Sequence, residues 1–282
     1  DYATIEAAIT ALNTAGVGAG GVTFNVTAGH TETFASEFAG LITATGTEAN
    51  PILFQKSGAG ANPLITASAL GTIATSTSFG SDGDGIIVIN GGDFITFDGI
   101  DLQENSTATG NQLMENGYLL KKASADDACK NVTIKNCNIS LAKSTRYSQG
   151  IYISNLSGTS AVTVASVGGR SENIKIFNNN ISNVYVGIQV RGYNASTPYD
   201  FYDQNIEIGV DGGNTITNFG GGGSTAYAIY AIYQNNFKIG NNSINGGAGN
   251  TSTIYGIFTS TGTNSNVDKK YHILWKCCQL RR

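Results

Sequence analysis

Charged residues, proline, methionine and tryptophan are all scarce in this sequence. Only 13% of the 282 residues are charged, and there are 3 prolines, 1 methionine and 1 tryptophan. The good helix formers leucine, lysine, glutamate and arginine are also sparse, which disfavours an all-helical protein. With 40% hydrophobic residues and little charge, the chain still has enough apolar side chains for a core, which disfavours disorder.

The small net charge of −4 is unevenly distributed. Residues 267–282 contain five basic residues and one acidic residue, so residues 1–266 carry a net charge of −8. An acidic body with few arginines argues against nucleic-acid binding, which depends on neutralising phosphates. It also argues against binding to an anionic membrane surface. No apolar run approaches the roughly 18 residues that a membrane span needs.

The four cysteines form no CxxC pair and no Cys/His set with zinc spacing. Cys129 and Cys137 are eight residues apart, which leaves two alternatives. They form a disulfide, or they are two small side chains that fill an interior. Cysteine is among the most frequently buried residue types, and we favour the second alternative.

The first element is predicted to be a helix. Ile5, Ala8, Ile9 and Leu12 recur with helical spacing. Thr4 is a suitable N-cap, and Gly16 follows the predicted C-terminal end. Beyond it, short strands of three to five residues are bounded by glycine, asparagine or aspartate, as in Ile86–Ile89 between Gly85 and Asn90, and in Phe94–Asp98.

Internal repetition is the strongest signal in the sequence. A unit of the form Asn-φ-x-Ile-x-Asn-x-x-Ile, in which φ is apolar, recurs with variations at four places. The units begin at Asn131, Asn173, Asn205 and Asn236. Their spacing of roughly 30–40 residues fits either one solenoid coil with an inserted loop or two coils. In such coils isoleucine fills the interior, and asparagine accepts the left-handed turn conformation and stacks in ladders.

The N-terminal region resembles the pectin-lyase-like β-helix proteins. The resemblance rests on Tyr2–Ile9, Gly21–Val26, Ala28–Gly29 and Asn50–Gln55. It implies an all-β fold, a right-handed single-stranded parallel β-helix with a short N-terminal capping α-helix at residues 1–16 and a solenoid that extends to residue 266. The resemblance is nearest to the large secreted surface proteins of environmental bacteria.

Residues 267–282 differ in amino-acid composition from the rest of the chain. This segment holds the single tryptophan, two of the four cysteines and one of the two histidines, and it continues no repeat. Two interpretations are open, a terminal cap for the last coil and an out-of-frame tail on a truncated fragment. We favour the second.

The family includes polysaccharide lyases and glycoside hydrolases, but this sequence lacks their most recognisable constellations. It has no Gly-His-Gly and no arginine-rich motif. A lyase would need a base together with acids that hold Ca²⁺. The catalytic candidates are Lys175, Arg191, Asp98 and Asp101. Asp82 and Asp84, in Asp-Gly-Asp-Gly, resemble a fragment of a calcium loop, and a plain turn is the favoured alternative.

Tyrosines supply the remaining functional signal. Tyr193, Tyr199 and Tyr202 crowd one predicted loop, and Tyr230 lies in a nearby strand. Those that point outward are candidates for stacking on sugar rings. We therefore expect a secreted or surface-located, non-catalytic module that binds a polysaccharide or cell-surface glycan or acts in adhesion. The alternative is a polysaccharide lyase or glycoside hydrolase.

Overall fold

The computed structural model describes residues 1–70, 84–143, 148–196 and 200–263, together with two short strands at 266–267 and 272–273. The described part of the chain winds into a parallel β-helix. Each coil contributes one strand to each of three parallel sheets, and the strands of successive coils pair in register.

The strands of sheet 1 are β1 (Val22–Thr27), β4 (Ile52–Ser57), β7 (Ile95–Asp98), β10 (Thr133–Lys135), β15 (Lys175–Phe177), β19 (Glu207–Ile208), β22 (Lys238–Ile239) and β25 (Asn266–Val267). Those of sheet 2 are β2 (Thr31–Thr33), β5 (Leu64–Thr66), β8 (Asp101–Gln103), β11 (Asn138–Ser140), β16 (Asn180–Ser182), β20 (Thr215–Thr217), β23 (Ser243–Asn245) and β26 (His272–Ile273).

The strands of sheet 3 are β3 (Leu41–Ile42), β6 (Gly85–Asn90), β9 (Asn116–Lys121), β12 (Gln149–Ile153), β17 (Val186–Arg191), β21 (Ala226–Asn235) and β24 (Ile254–Thr263), with β18 (Asp203–Gln204) beside the end of β21. A small antiparallel hairpin is formed by β13 (Leu156–Ser157) and β14 (Ser160–Ala161). Two short 3₁₀ helices lie at Gly110–Gln112 and Val167–Gly169.

Helix α1 (Ile5–Ala15) covers the first coil, as the sequence predicts. Its buried residues are Ile5, Ala8, Ile9 and Leu12, the four with helical spacing. The Thr4 side chain accepts a hydrogen bond from the Ala7 amide, and Gly16 closes the helix with a φ of 69°. Glu32, on β2, accepts bonds from the amides of Ile5 and Glu6. Its carboxylate therefore satisfies helix N-terminal donors from the neighbouring coil.

One coil fills each repeat interval, which decides between the alternatives that the spacing left open. The Asn-rich turns precede β10, β15, β19 and β22, which are consecutive strands of sheet 1. Only two to six residues connect sheet 1 to sheet 2 in any coil, whereas the longest connection, at 154–174, follows a strand of sheet 3. The additional residues of a coil are therefore inserted mainly beside sheet 3.

The interior changes character along the axis. Phe24, Phe54 and Phe97 stack in the first three coils, with ring centroids 4.5 Å and 4.9 Å apart. From the fourth coil onwards the same column holds isoleucine, beginning at Ile134 and Ile176. Stacked side chains of one kind keep successive coils in register while they bury the apolar surface that a single coil leaves exposed.

Asparagine occupies the corners, as predicted. Nine of the twelve non-glycine residues with positive φ in the described part of the chain are asparagines. In the corner before sheet 1, Asn173 donates to Asn131, Asn205 to Asn173, and Asn236 to Asn205. Asparagine tolerates this left-handed conformation better than most residues and can bond its neighbours while it does so.

A second asparagine row is fully buried. The Oδ1 atom of Asn214 accepts from the backbone and side-chain nitrogens of Asn179, each at 3.0 Å. Asn242 accepts from Asn214 in the same way. Cys137 occupies the corresponding position one coil before Asn179. These bonds satisfy polar groups that would otherwise be costly inside the solenoid.

The cysteines of the described chain are unbonded. Cys129 and Cys137 are free thiols, both buried in the core. Burial raises the pKa of each thiol to about 12. The interpretation of these residues as interior fillers is confirmed.

Candidate functional site

The outer face of sheet 3 holds the most concentrated set of functional features. Val88, Leu119, Tyr152, Gln189, Tyr230 and Phe258 pair one after another along it. They alternate with core residues such as Ile87 and Ile89 and therefore point away from the interior. Leu119, Tyr152 and Gln189 in the middle of the row are nevertheless fully buried, whereas Val88, Tyr230 and Phe258 towards its two ends are half-buried. The longest insertions of the coils flank this sheet, so a rigid face is bordered by variable loops.

Four aromatic rings form one cluster at the C-terminal end of this face. Tyr227 stacks on Tyr255 and Tyr230 stacks on Phe258, in both cases with centroids 5.2 Å apart. The two stacks contact each other edge to face, at 4.9 Å and 5.3 Å. Tyr255 is 37% exposed and the other three rings are half-buried. We call these four residues the aromatic patch.

The pairing of the strands explains how Tyr227 and Tyr230 share one side although they are three residues apart. The register of β21 passes directly from Tyr227 to Ile229 and skips Ala228. The counterparts of Ala228 in three preceding coils are Gly117, Gly150 and Gly187. A Cβ atom at Gly150 would lie 2.4 Å from a methyl carbon of Ile181, so glycine is required there.

The four tyrosines proposed from the sequence have different positions. Tyr230 belongs to the aromatic patch. Tyr193 is half-buried, and Tyr202 is only 3% exposed and packs against Tyr233. Tyr199 lies outside the described residues. Sequence reasoning missed Tyr255 and Phe258, although their position in an Ile-Tyr-Gly-Ile-Phe strand that repeats the preceding coil was a usable signal.

A carboxyl pair lies at the opposite end of the sheet. The Asp84 amide donates to a Glu115 carboxylate oxygen at 3.3 Å, and the Glu115 amide donates to Asp84 Oδ1 at 3.1 Å. Asp84 is 4% exposed and Glu115 1% exposed. Burial raises the pKa of Asp84 to about 6, an effect that its hydrogen bonds to Glu115 oppose and the charge of Glu37 reinforces.

Glu104 extends this acidic group. Its carboxylate accepts from the amides of Asn105 and Met114. Burial raises its pKa to about 7, and the charge of Asp84 contributes in the same direction. Carboxyl groups with pKa values displaced towards neutrality are characteristic of general acid–base sites, and also of structural clusters.

Asp84 and Glu115 occupy equivalent places, because each immediately precedes a sheet 3 strand in successive coils. Aligning the coils would have revealed this pair. Asp84 was predicted only as a calcium ligand together with Asp82, which lies outside the described residues. In the described part of the chain, no three histidine, cysteine, aspartate or glutamate side chains converge in a way that could hold a metal ion.

The four catalytic candidates are distributed over all three sheets. Asp98 lies on β7 and its carboxylate binds Lys135 at 3.1 Å and Asn136 at 2.6 Å. Asp101, on β8, accepts from Asn62 and Asn138.

The two basic candidates lie on later strands. Lys175, on β15, contacts Asp211 at 2.7 Å and Glu207 at 3.6 Å, and the hydrogen bond to Asp211 raises its pKa. Arg191 ends β17 on sheet 3. Neither Asp98 nor Asp101 uses Lys175 as its partner.

Comparison with known proteins assigns this chain to no family. No family model matches the chain, and no curated protein matches it. A search of solved structures finds the crystal structure of a GH136 lacto-N-biosidase from Eubacterium ramulus, a selenomethionine derivative. It has 10% sequence identity and a TM-score of 0.40, and the match covers 89% of this chain and 62% of that chain. This chain thus spans less than two thirds of that protein's length. Among the described residues, no helix has the length and apolarity for crossing a membrane.

Proposed function

We propose that this protein is a secreted or surface-located module that binds glycans through the outer face of sheet 3. The aromatic patch is the single observation that carries this proposal. The same proposal includes a relation of this protein to the pectin-lyase-like proteins and a role in adhesion. Both rest on the sequence resemblance.

The chemistry of the patch suits a sugar. The face of a pyranose that carries C–H groups is apolar, and it gains free energy when it leaves water for an aromatic surface. Tyr255, Tyr227 and Tyr230 each add a phenol that can donate to and accept from sugar hydroxyls. Because the rings are fixed by stacking on one another, little side-chain entropy is lost when a ligand binds.

The experiment is binding of the full chain to a panel of neutral and acidic polysaccharides, measured by affinity electrophoresis. Tyr255→Ala should weaken binding to the recognised polysaccharide by about tenfold, the loss of one good contact. Tyr2→Ala is the matched control, since Tyr2 is 54% exposed but lies at the N-terminal end. Equal binding by wild type and Tyr255→Ala would contradict the proposal.

Polysaccharide cleavage is the second candidate, and the pair of Asp84 and Glu115 favours it. A glycoside hydrolase needs one carboxylic acid that is protonated near neutral pH and one carboxylate. Asp84, with its pKa near 6, fits the first requirement. Release of reducing ends or unsaturated products, assayed with and without Ca²⁺ and lost in Asp84→Asn, would support this candidate over pure binding.

A further inference from the structure

A cavity of about 210 Å³ lies on the outer face of sheet 3 in the first three coils. Its walls include Phe38 and Leu41 from the first coil, Asp84 and Val88 from the second, and Leu119 and Lys121 from the third. The aromatic patch lies about four coils further along the axis, or roughly 19 Å away at the usual strand spacing. The cavity is therefore a separate site.

The walls combine apolar groups with two acidic residues and one basic residue, Lys121. Val88, Leu119 and Leu41 supply an apolar surface, and Phe38 presents a ring that is 59% exposed. Glu37 and Asp84 line the same cavity. A ligand that fits must therefore carry both an apolar face and polar groups.

The unpaired hydrogen-bond acceptor of the cavity wall indicates that the polar groups of the ligand are hydrogen-bond donors. Asp84 Oδ2 is buried and has no hydrogen-bond partner. Two further oxygens without partners follow on the next coils, Asn116 Oδ1 and Gln149 Oε1, and Asn116 and Gln149 are paired residues of sheet 3. All three atoms are acceptors, but only Asp84 lines the cavity, and leaving its buried acceptor unpaired is costly. A ligand with hydroxyl groups would satisfy Asp84, whereas one with only acceptors would not.

The charges around the cavity restrict the class of ligand further. Asp84 and Glu37 are acidic, with Glu104 and Glu115 close to Asp84. These four carboxyl groups outnumber Lys121, the one cation of the walls, so a uronic acid would bring another carboxylate into a place of net negative charge, which Coulomb repulsion disfavours. A neutral sugar avoids this penalty.

We propose that this cavity binds one neutral hexopyranose residue, with its C–H face against Phe38 and Leu41 and a hydroxyl group donating to Asp84, and that it rejects uronic acids. The volume suits a single sugar ring. The inference goes beyond the proposed function and does not depend on the aromatic patch.

The test is binding of methyl glucoside, methyl galactoside, N-acetylglucosamine and galacturonate to the full chain at pH 7, measured by saturation-transfer NMR and titration calorimetry. At least one neutral sugar should bind at millimolar concentration or below, and galacturonate at least tenfold more weakly. Phe38→Ala should weaken the neutral sugar by about tenfold. Because Phe38 is largely exposed, this variant should fold normally.

Two further variants sharpen the test. Asp84→Asn should reduce the discrimination against galacturonate, while Asp211→Asn, which removes an exposed acid bound to Lys175, should leave all affinities unchanged. A loss of neutral-sugar affinity in Phe38→Ala would assign that binding to this cavity and not to the aromatic patch. Tighter binding of galacturonate than of every neutral sugar, absence of neutral-sugar binding, or unchanged affinity in Phe38→Ala would each overturn the proposal.

Discussion

Lys122 and Asp203 form an ion pair that is completely enclosed by the protein. The Lys122 Nζ atom lies 3.4 Å from Asp203 Oδ1, and neither side chain is exposed to solvent. Lys122 also donates to the Gly169 carbonyl at 2.7 Å, and Asp203 Oδ1 accepts from the Ser171 amide at 2.8 Å. The pair thus fixes the connection at 154–174 and strand β18 to the solenoid. Burial raises the pKa of Asp203, although the lysine opposes this effect.

Lys122→Met should destabilise the protein by about 3–5 kcal/mol, because it leaves a buried carboxyl group without its counter-charge. The double variant Lys122→Met/Asp203→Asn should recover part of this loss. Denaturant unfolding measures both. Lys175→Met is the control, since its partner Asp211 is exposed and such pairs contribute about 0–1 kcal/mol. Equal losses in the two lysine variants would show that enclosure of the Lys122 pair has no energetic effect.

The two asparagine rows should differ in their contribution to stability. Asn214→Ala removes the acceptor of two Asn179 nitrogens inside the core, and each donor left unpaired costs about 1–3 kcal/mol. Asn205→Gly, in the corner row, retains the left-handed conformation and loses bonds that water can replace. Thermal unfolding should show a clearly lower Tm for Asn214→Ala only. A larger effect of Asn205→Gly would mean that the corners, not the interior row, hold the coils together.

Stability should decrease as the pH rises from about 4 to about 7. The folded-state pKa values of Asp84 and Glu104 are raised to about 6 and about 7, so the folded protein binds protons more tightly than the unfolded chain. Their contribution is complete below the ordinary carboxyl pKa and is lost as the pH passes the raised values. Each pKa unit corresponds to about 1.4 kcal/mol.

Calorimetric scans at pH 5 and pH 8 test this dependence. The wild-type Tm should be higher at pH 5, and Asp84→Asn should reduce the difference because an amide does not titrate. A Tm that is higher at pH 8 than at pH 5 would contradict the proposed effect of burial on these carboxyl groups.

Local chemistry made part of this structure predictable. The spacing of Ile5 and Leu12 located the helix, and the recurring asparagines located the corners and the ladders. Both signals arise from interactions among nearby residues or from a repeat that can be read directly. The solenoid class followed from them.

The candidate sites were less accessible to sequence reasoning. Asp84 and Glu115 are 31 residues apart, and Lys122 and Asp203 are 81 apart, with insertions of unequal length between them. Which residues meet depends on the lengths of these insertions, which the repeat does not specify. The two strands at Asn266–Val267 and His272–Ile273 continue sheets 1 and 2. The other residues of 267–282 lie outside the described part of the chain, and the interpretation of that segment stays a prediction.

The buried asparagine row does not extend through all the coils. At one end its place is taken by Cys137, whose thiol bonds the Lys135 carbonyl of the same coil. Asn242, the last described member, donates from its side-chain nitrogen to the carbonyls of Ile208 and Gly240. Continuous amide ladders favour the addition of further identical layers, as in fibrils. Because Cys137 stands where the row would otherwise begin, and a thiol cannot continue an amide ladder, the described row offers no template for further layers at that end.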